Sequence, residues 1–208
     1  MNNPAQRPVR HVIFDLGGVV FRRDPSRRQE LMRFFAFLKE REYPDYWVDF
    51  DRGLLSQREV AERMAVHRGC SADLCERNIS AALELQQEVP LTKALIAELK
   101  ERGYGVYCLS NMSAEFYRHL LEFEVMGLFD GIVMSCEEHT VKPERRIYEI
   151  LLGRYGLDPA EALFADDREA NLRSAETLGI RTVHFTDPES GCRRIRLLLG
   201  LEAAESEL

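Results

Sequence analysis

Four groups of polar residues in this sequence of 208 residues have types and spacing that could do chemistry. The first is Asp15, which ends an apolar run over residues 12–14 and is followed by Gly17 and Gly18. An acid at the carboxyl end of a buried parallel strand lies where α/β folds bind ligands, so Asp15 is a candidate reactive carboxylate. The same residue could instead cap a turn in a core strand, and this stretch alone does not decide between the two.

The next two groups could bind an anion. Ser110 and Asn111 follow the apolar run over residues 106–109, and their hydroxyl and amide can donate hydrogen bonds to a negatively charged ligand. Lys142 stands before a predicted helix, where its ammonium could neutralise a phosphate or a nucleophile. Each group by itself is also typical of a turn, a helix cap or a solvated lysine.

The fourth group is Asp166 and Asp167, directly after the apolar run over residues 162–165. Adjacent carboxylates at the end of a buried strand repel each other, so they call for a cation or several backbone donors. Oxygen ligands without Cys or His suit Mg²⁺. Together with Asp15 at another strand end, the pair predicts a Mg²⁺ site.

The elements that must position these groups alternate along the chain after Pro90, which predicts a parallel sheet with crossover helices. We expect strands at residues 9–15, 106–109, 132–135, 162–165 and 182–185. We expect helices at residues 91–102, 113–123, 143–155, 169–178 and 189–199. Because carboxyl ends of parallel strands share one edge, the four groups are expected to meet there.

An all-helical insertion is predicted between about Pro25 and Gln87, where apolar residues have helical spacing and no strand-like run occurs. Ser56 and Glu59 form a capping-box pattern, and Gly69 follows as a stop signal. The insertion should contain three or four helices. Tyr46, Trp47, Asp51 and Arg52 cluster around Gly53; they could face the site, although packing of the insertion on the sheet domain is the expected role.

Composition excludes several classes of protein. A formal charge of −7 and a pI near 5.4 argue against nucleic-acid and anionic-membrane partners. The arginines at residues 22, 23, 27 and 28 are expected on a solvated helix face. Five scattered cysteines show no zinc-binding spacing and are expected to be reduced. The sequence shows neither a signal peptide nor a membrane span, which predicts a cytoplasmic protein.

The order of the four groups resembles the four motifs of the haloacid dehalogenase superfamily, and the insertion resembles the helical cap of its subclass I. Asp15-Leu16-Gly17-Gly18, residues 164–167 and Asn171 are similar to the glucose-1-phosphate phosphatase-like branch. The resemblance implies an α/β fold: a Rossmann-like parallel sheet core with a small all-helical cap inserted after the first strand. It places the core at residues 1–22 and 88–208 and the cap at residues 23–87.

The resemblance also implies roles for the site residues. Asp15 would be the nucleophile, Ser110 and Asn111 would bind the phosphoryl group, and Lys142 would balance charge. A Mg²⁺ ion would be held by Asp15, the Gly17 carbonyl and Asp166, with Asp167 acting on its water ligands. The expected activity is Mg²⁺-dependent hydrolysis of a small phosphomonoester, such as a hexose 1-phosphate, through an aspartyl-phosphate. The partner is then a small-molecule phosphate ester, and the protein is expected to be a monomer or a homodimer.

The sequence departs from the family at Gly17, where most phosphatases carry a second Asp that serves as general acid and base. Such a group contributes about 10²–10⁴-fold to the rate. Asp24 could replace it, but a helix N-cap role before Pro25 is favoured. Two alternatives therefore stay open. One is a haloacid dehalogenase, which Asp166 and Asp167 argue against, and the other is a catalytically weak phosphate-binding or scaffold protein.

Overall fold

The computed structural model describes residues 7–23, 29–40 and 43–201. Its strands are β1 (His11–Phe14), β2 (Phe21–Arg23), β3 (Gln86–Glu88), β4 (Gly105–Ser110), β5 (Gly131–Met134), β6 (Ala162–Asp166) and β7 (Arg181–His184). Five of them form a parallel sheet in the order β5-β4-β1-β6-β7. The predicted strands are confirmed, with ends that shift by at most two residues.

The helices are α1 (Gln29–Phe34), α2 (Asp45–Asp51), α3 (Gln57–Arg68), α4 (Ala72–Leu83), α5 (Pro90–Glu101), α6 (Ala114–Leu120), α7 (Ser135–Glu138), α8 (Arg145–Tyr155), α9 (Glu169–Glu176) and α10 (Pro188–Leu198). Short 3₁₀ helices cover Ala36–Lys39, Glu124–Leu128 and Pro159–Glu161. Within the described ranges, no helix is long and apolar enough to cross a membrane.

Strand β1 is central because its side chains are apolar on both faces. Val12 and Phe14 point into a core that includes residues of α5 and α10, and Ile13 points into a second core built with α8 and α9. All three side chains are fully buried. A strand covered on both sides belongs in the middle of a parallel sheet, so the predicted fold class is confirmed.

Helices α1–α4 lie in the predicted insertion, between β2 and β3. The capping box is confirmed: Ser56 N–H donates to the Glu59 carboxylate at 2.8 Å, and Glu59 N–H donates to the Ser56 hydroxyl at 3.3 Å. Gly69 ends α3 at φ 65°, in the left-handed region that favours glycine. Trp47 packs edge-on against Phe37 and Phe50, with ring centroids 5.3 and 5.5 Å away, so it belongs to the core of the insertion.

The expectation of no strand between about Pro25 and Gln87 was wrong at its end, because β3 begins at Gln86 and pairs antiparallel with β2. Phe21 is opposite Glu88, and Arg23 is opposite Gln86. Strands of three mostly polar residues, far apart in the chain, leave no alternating apolar pattern to recognise. Arg22 and Arg23 accordingly lie in a strand rather than on a helix face. Residues 27 and 28, like Asp24 and its proposed capping role, lie outside the described residues.

This two-stranded ribbon is where the chain enters and leaves the insertion. Val89 N–H donates to the Val20 carbonyl at 2.8 Å, and the Thr92 hydroxyl donates to the Val19 carbonyl at 2.8 Å. The turn after β1 is therefore tied to the start of α5. The division into a core (residues 1–22 and 88–208) and a cap (residues 23–87) stays a prediction, and its boundaries fall inside the ribbon.

Candidate active site

Three adjacent strands deliver the predicted polar residues to one edge of the sheet. Asp15 follows β1, Ser110 ends β4 and Asp166 ends β6. The Asp15 N–H donates to the Ala165 carbonyl at 2.9 Å, which continues the β1–β6 pairing up to the acid. The parallel register thus brings together residues that are 95 and 151 positions apart in the sequence.

Lys142 lies at the centre of this cluster. Its Nζ is 2.8 Å from Asp15 Oδ1 and 2.7 Å from Asp166 Oδ2, and it donates to the Leu109 carbonyl at 2.9 Å. The three acceptors match the three protons of an ammonium, and the side chain is only 1% exposed. The predicted convergence of Asp15 and Lys142 is therefore present in the structure.

The two oxygens of Asp15 have different surroundings. Oδ1 accepts hydrogen bonds from the Ser110 hydroxyl at 2.8 Å and from Lys142. Oδ2 accepts none from the part of the chain that the structure describes. One oxygen is thus held in place, while the other is available to react or to bind a cation.

Burial and ion pairing oppose each other in this cluster. Burial raises the pKa of the Asp15 carboxyl, and the adjacent Lys142 ammonium counteracts that shift. Burial also disfavours the ammonium, but the negative charges of Asp15 and Asp166 outweigh it and raise the pKa of Lys142. The lysine is therefore a permanent positive charge beside the candidate nucleophile.

Asp166 is fully buried, and both of its carboxylate oxygens accept hydrogen bonds. Its Oδ1 accepts from Arg168 N–H at 2.8 Å, and the Asn171 amide donates to both Asp166 oxygens at 3.0 and 3.1 Å. The sequence marks Asn171 only as part of a family pattern, yet its amide bonds this carboxylate directly. Its position five residues after Asp166, on the first turn of α9, is the only signal in the sequence.

The structure contains one candidate site for a cation within the described residues. Asp15, Asp166 and Asp167 each offer an oxygen, and these oxygens lie within 4.8 Å of one another. Three carboxylates without a sulfur or imidazole ligand fit a hard divalent cation such as Mg²⁺. The Asp167 side chain is exposed at the rim; desolvation by the surrounding protein and the two other carboxylates raise its pKa to about 7.

The two glycines after Asp15 differ. Gly18 has φ +79°, and a Cβ there would come within 2.8 Å of Asp167 Oδ2, so this position requires glycine. At Gly17, a Cβ would meet no atom within 4 Å. The missing side chain at Gly17 is therefore not demanded by packing, and the Gly17 carbonyl stays a predicted cation ligand.

Asn111 contacts the lysine segment. Its amide donates to the Lys142 carbonyl at 2.8 Å, and Lys142 N–H donates to Asn111 Oδ1 at 2.7 Å. Both polar groups of the side chain are thus used to hold the backbone that carries the lysine. The predicted contact between Asn111 and substrate stays a prediction.

Comparisons with known proteins agree with this geometry. Residues 9–179 match the family of haloacid dehalogenase-like hydrolases. The sesquiterpene phosphatase astK of Aspergillus oryzae is 30% identical over 196 residues, which cover 90% of this chain and 95% of that protein. Flavin mononucleotide hydrolase 1 of Arabidopsis thaliana is 24% identical, and the match covers 89% of this chain and 76% of that protein.

A solved structure of similar fold is a haloacid dehalogenase family enzyme from Bacteroides thetaiotaomicron. Its aspartate-to-alanine mutant, in complex with magnesium and inorganic phosphate, matches with a TM-score of 0.70 and 25% identity. The match covers 85% of this chain and 93% of that chain. Sequence and structure therefore agree that this chain belongs to the haloacid dehalogenase-like hydrolases.

Proposed function

We propose that this hydrolase is a Mg²⁺-dependent phosphatase that cleaves a small phosphomonoester through an aspartyl-phosphate on Asp15. The observation that carries the proposal is the buried lysine between two carboxylates, next to a third carboxylate at the rim. A fixed positive charge and a divalent cation are what the anionic oxygens of a phosphoryl group need during transfer.

Each residue has a role in this reaction. Asp15 Oδ2 attacks phosphorus, because Oδ1 is held by Ser110 and Lys142. The Ser110 hydroxyl can then turn from Asp15 Oδ1 and donate a hydrogen bond to a phosphoryl oxygen. Lys142 neutralises the negative charge at Asp15. We assign Asp15, Asp166, Asp167 and the Gly17 carbonyl as the ligands that hold Mg²⁺. When bound, the ion supplies charge neutralisation for the phosphoryl oxygens.

The substrate class follows from Gly17. An enzyme without a general acid at this position acts most readily on esters with good leaving groups, such as the anomeric phosphate of a hexose 1-phosphate, and acts on other alkyl esters only if a residue elsewhere supplies the proton. The names of the relatives, a sesquiterpene phosphatase and a flavin mononucleotide hydrolase, support phosphoester hydrolysis and widen the choice of substrates. A substrate panel should therefore contain sugar, prenyl and nucleotide phosphates.

The second candidate is a haloacid dehalogenase, which Gly17 favours because carbon–halogen displacement needs no proton donor at that position. Asp166 and Asp167 count against it, since such a displacement needs no cation and two extra carboxylates repel an anionic haloacid.

The test measures phosphate release from the panel, with Mg²⁺ and with a chelator, and halide release from 2-haloacids. We expect Mg²⁺-dependent phosphate release that is abolished in Asp15→Asn. Asp49→Asn is a suitable control, because Asp49 lies in α2, half-exposed, 3.5 Å from Arg63. Halide without phosphate would establish the dehalogenase instead, and full activity of Asp15→Asn would exclude the aspartyl-phosphate.

A further inference from the structure

Asp51, at the end of α2, is a buried acid that the proposed mechanism has not used. It is 8% exposed, and its carboxylate accepts no hydrogen bond and forms no ion pair within residues 7–23, 29–40 and 43–201. Buried carboxylates are normally paired, because the loss of hydration is costly. An unpaired one beside an active site calls for an explanation.

The backbone around Asp51 is fixed to the sheet domain beside the site. The Ser135 hydroxyl donates to the Asp51 carbonyl and accepts from Met112 N–H at 2.8 Å, two residues after Ser110. His139 Nδ1 donates to the Arg52 carbonyl at 2.9 Å. The insertion therefore cannot shift here without breaking its contacts with α7 and with the residue that follows α7.

Two further contacts lock the same segment. The Arg52 guanidinium forms an ion pair with Glu144, two residues after Lys142. Gly53 has φ +71°, and a Cβ there would lie 2.6 Å from the Cys136 carbonyl oxygen. No side chain would fit there, so the Gly53 backbone packs directly against the Cys136 backbone. This close packing helps to fix Asp51, two residues earlier, relative to the catalytic lysine.

The buried Asp51 carboxyl lies close enough to the site to interact with its charged groups. The charges that act on it come from Arg23 in β2, from Asp15, from Lys142 and from Arg168. Burial raises the pKa of Asp51 to about 7; the Arg23 guanidinium opposes the shift, and Asp15 adds to it. Tyr43 and Cys136 are the other titratable groups that interact with this carboxyl.

We infer that Asp51 is the catalytic residue that protonates the leaving group, in place of the acid that Gly17 lacks. The inference rests on the proposed function. In the first step, Asp15 Oδ2 bonds to phosphorus, the bond from phosphorus to the ester oxygen breaks, and the Asp51 proton moves to that oxygen to give the alcohol. In the second step, water bonds to phosphorus, the bond to Asp15 breaks, and the Asp51 carboxylate takes the water proton.

The test compares Asp51→Asn with the wild type on two substrates, an unactivated alkyl phosphate and 4-nitrophenyl phosphate. Because kcat/KM reports the steps through phosphoryl transfer to Asp15, it isolates the protonation. For Asp51→Asn, we expect kcat/KM to fall about 10²–10⁴-fold on the alkyl ester. On the aryl ester, whose leaving group needs no proton, it should fall less than about fivefold. Asp49→Asn, on the same helix, should match the wild type on both.

The outcomes separate catalysis from structure. Equal losses of kcat/KM on both esters would assign Asp51 a structural role. No loss of kcat/KM on either ester would exclude Asp51 as the proton donor. Both results overturn the inference. A wild type that releases no phosphate from any ester would overturn the proposed function itself, and the inference with it. A thermal midpoint of Asp51→Asn at or above that of the wild type supports the premise that the carboxyl is buried without a partner.

A second variant tests the exchange of roles between the two positions. A Cβ at Gly17 meets no atom within 4 Å, so the first side-chain atom of Gly17→Asp has room in a double variant with Asp51→Asn. We expect the double variant to regain at least about tenfold activity on the alkyl ester. No recovery, in a protein that still hydrolyses the aryl ester at the wild-type rate, would contradict the exchange.

Discussion

Replacing Lys142 by Met should destabilise the protein strongly. The substitution removes an ammonium that lies 2.8 Å from Asp15 and 2.7 Å from Asp166, while both carboxylates stay buried. Removing one partner of a buried ion pair costs about 3–5 kcal/mol of the free energy of unfolding. For a chain of this length, about 2–4 °C per kcal/mol gives a fall in thermal midpoint of about 6–20 °C.

The pH dependence of that loss provides a second check. Without the ammonium, the pKa of the Asp15 carboxyl, already raised by burial, should rise further above its value in the unfolded chain. A carboxyl of raised pKa costs nothing at a pH below its unfolded pKa of about 3.9, and the cost grows as the pH rises toward the folded value. The difference between Lys142→Met and the wild type should therefore narrow from pH 7 to pH 4.

The assay is thermal unfolding followed by circular dichroism in chelator, with Lys93→Met as the control. Lys93 also has two carboxylate partners, Glu88 at 2.7 Å and Glu124 at 2.9 Å, but its side chain is 30% exposed. Exposed ion pairs of this kind contribute little to stability, so Lys93→Met should leave the thermal midpoint nearly unchanged. A Lys142→Met midpoint within about 2 °C of the wild type at pH 7 would refute the reasoning.

Three further substitutions follow from the same structure. Gly18→Ala should lower the free energy of unfolding, measured with denaturant, by about 1–2 kcal/mol. Because the new Cβ displaces Asp167, the variant should also need more Mg²⁺ for half-maximal activity. An unchanged Mg²⁺ requirement would contradict this. Asn111→Ala should lower kcat at constant KM, since the amide holds the lysine backbone, whereas a rise in KM alone would favour substrate contact. Burial lowers the pKa of His11 below its ordinary value of 6.5, so the free energy of unfolding should fall as the pH drops below 6.5. In a series of urea midpoints measured against pH, His11→Gln should show a smaller fall than the wild type.

The sheet and most of the site could be predicted because their signals are local. Asp15, Ser110 and Asp166 each follow an apolar run that is buried on both faces, and parallel strands present their carboxyl ends at one edge. The ends of a helix could also be predicted where a capping residue or a glycine marks them, as Ser56 and Gly69 do for α3.

What the sequence could not predict depends on tertiary contacts without a local pattern. The β2–β3 ribbon joins strands whose residues Arg23 and Gln86 lie far apart in the chain. Asp51 lies on a helix whose residues Trp47 and Phe50 pack inside the insertion. Nothing in the sequence shows that the Asp51 carboxyl is buried and close enough to interact with the charge of Asp15. Asn111 was recognised as polar, but its partner, the Lys142 backbone, is visible only once the loop is folded.

The ribbon also determines how the insertion can vary. Because Arg23 and Gln86 are paired neighbours, the 62 residues between them form a loop whose two ends meet at one place on the sheet domain. The entropy of closing such a loop grows only slowly with its length. Selection or protein engineering could therefore lengthen, shorten or exchange the helices of the insertion while the geometry around Asp15 stays the same.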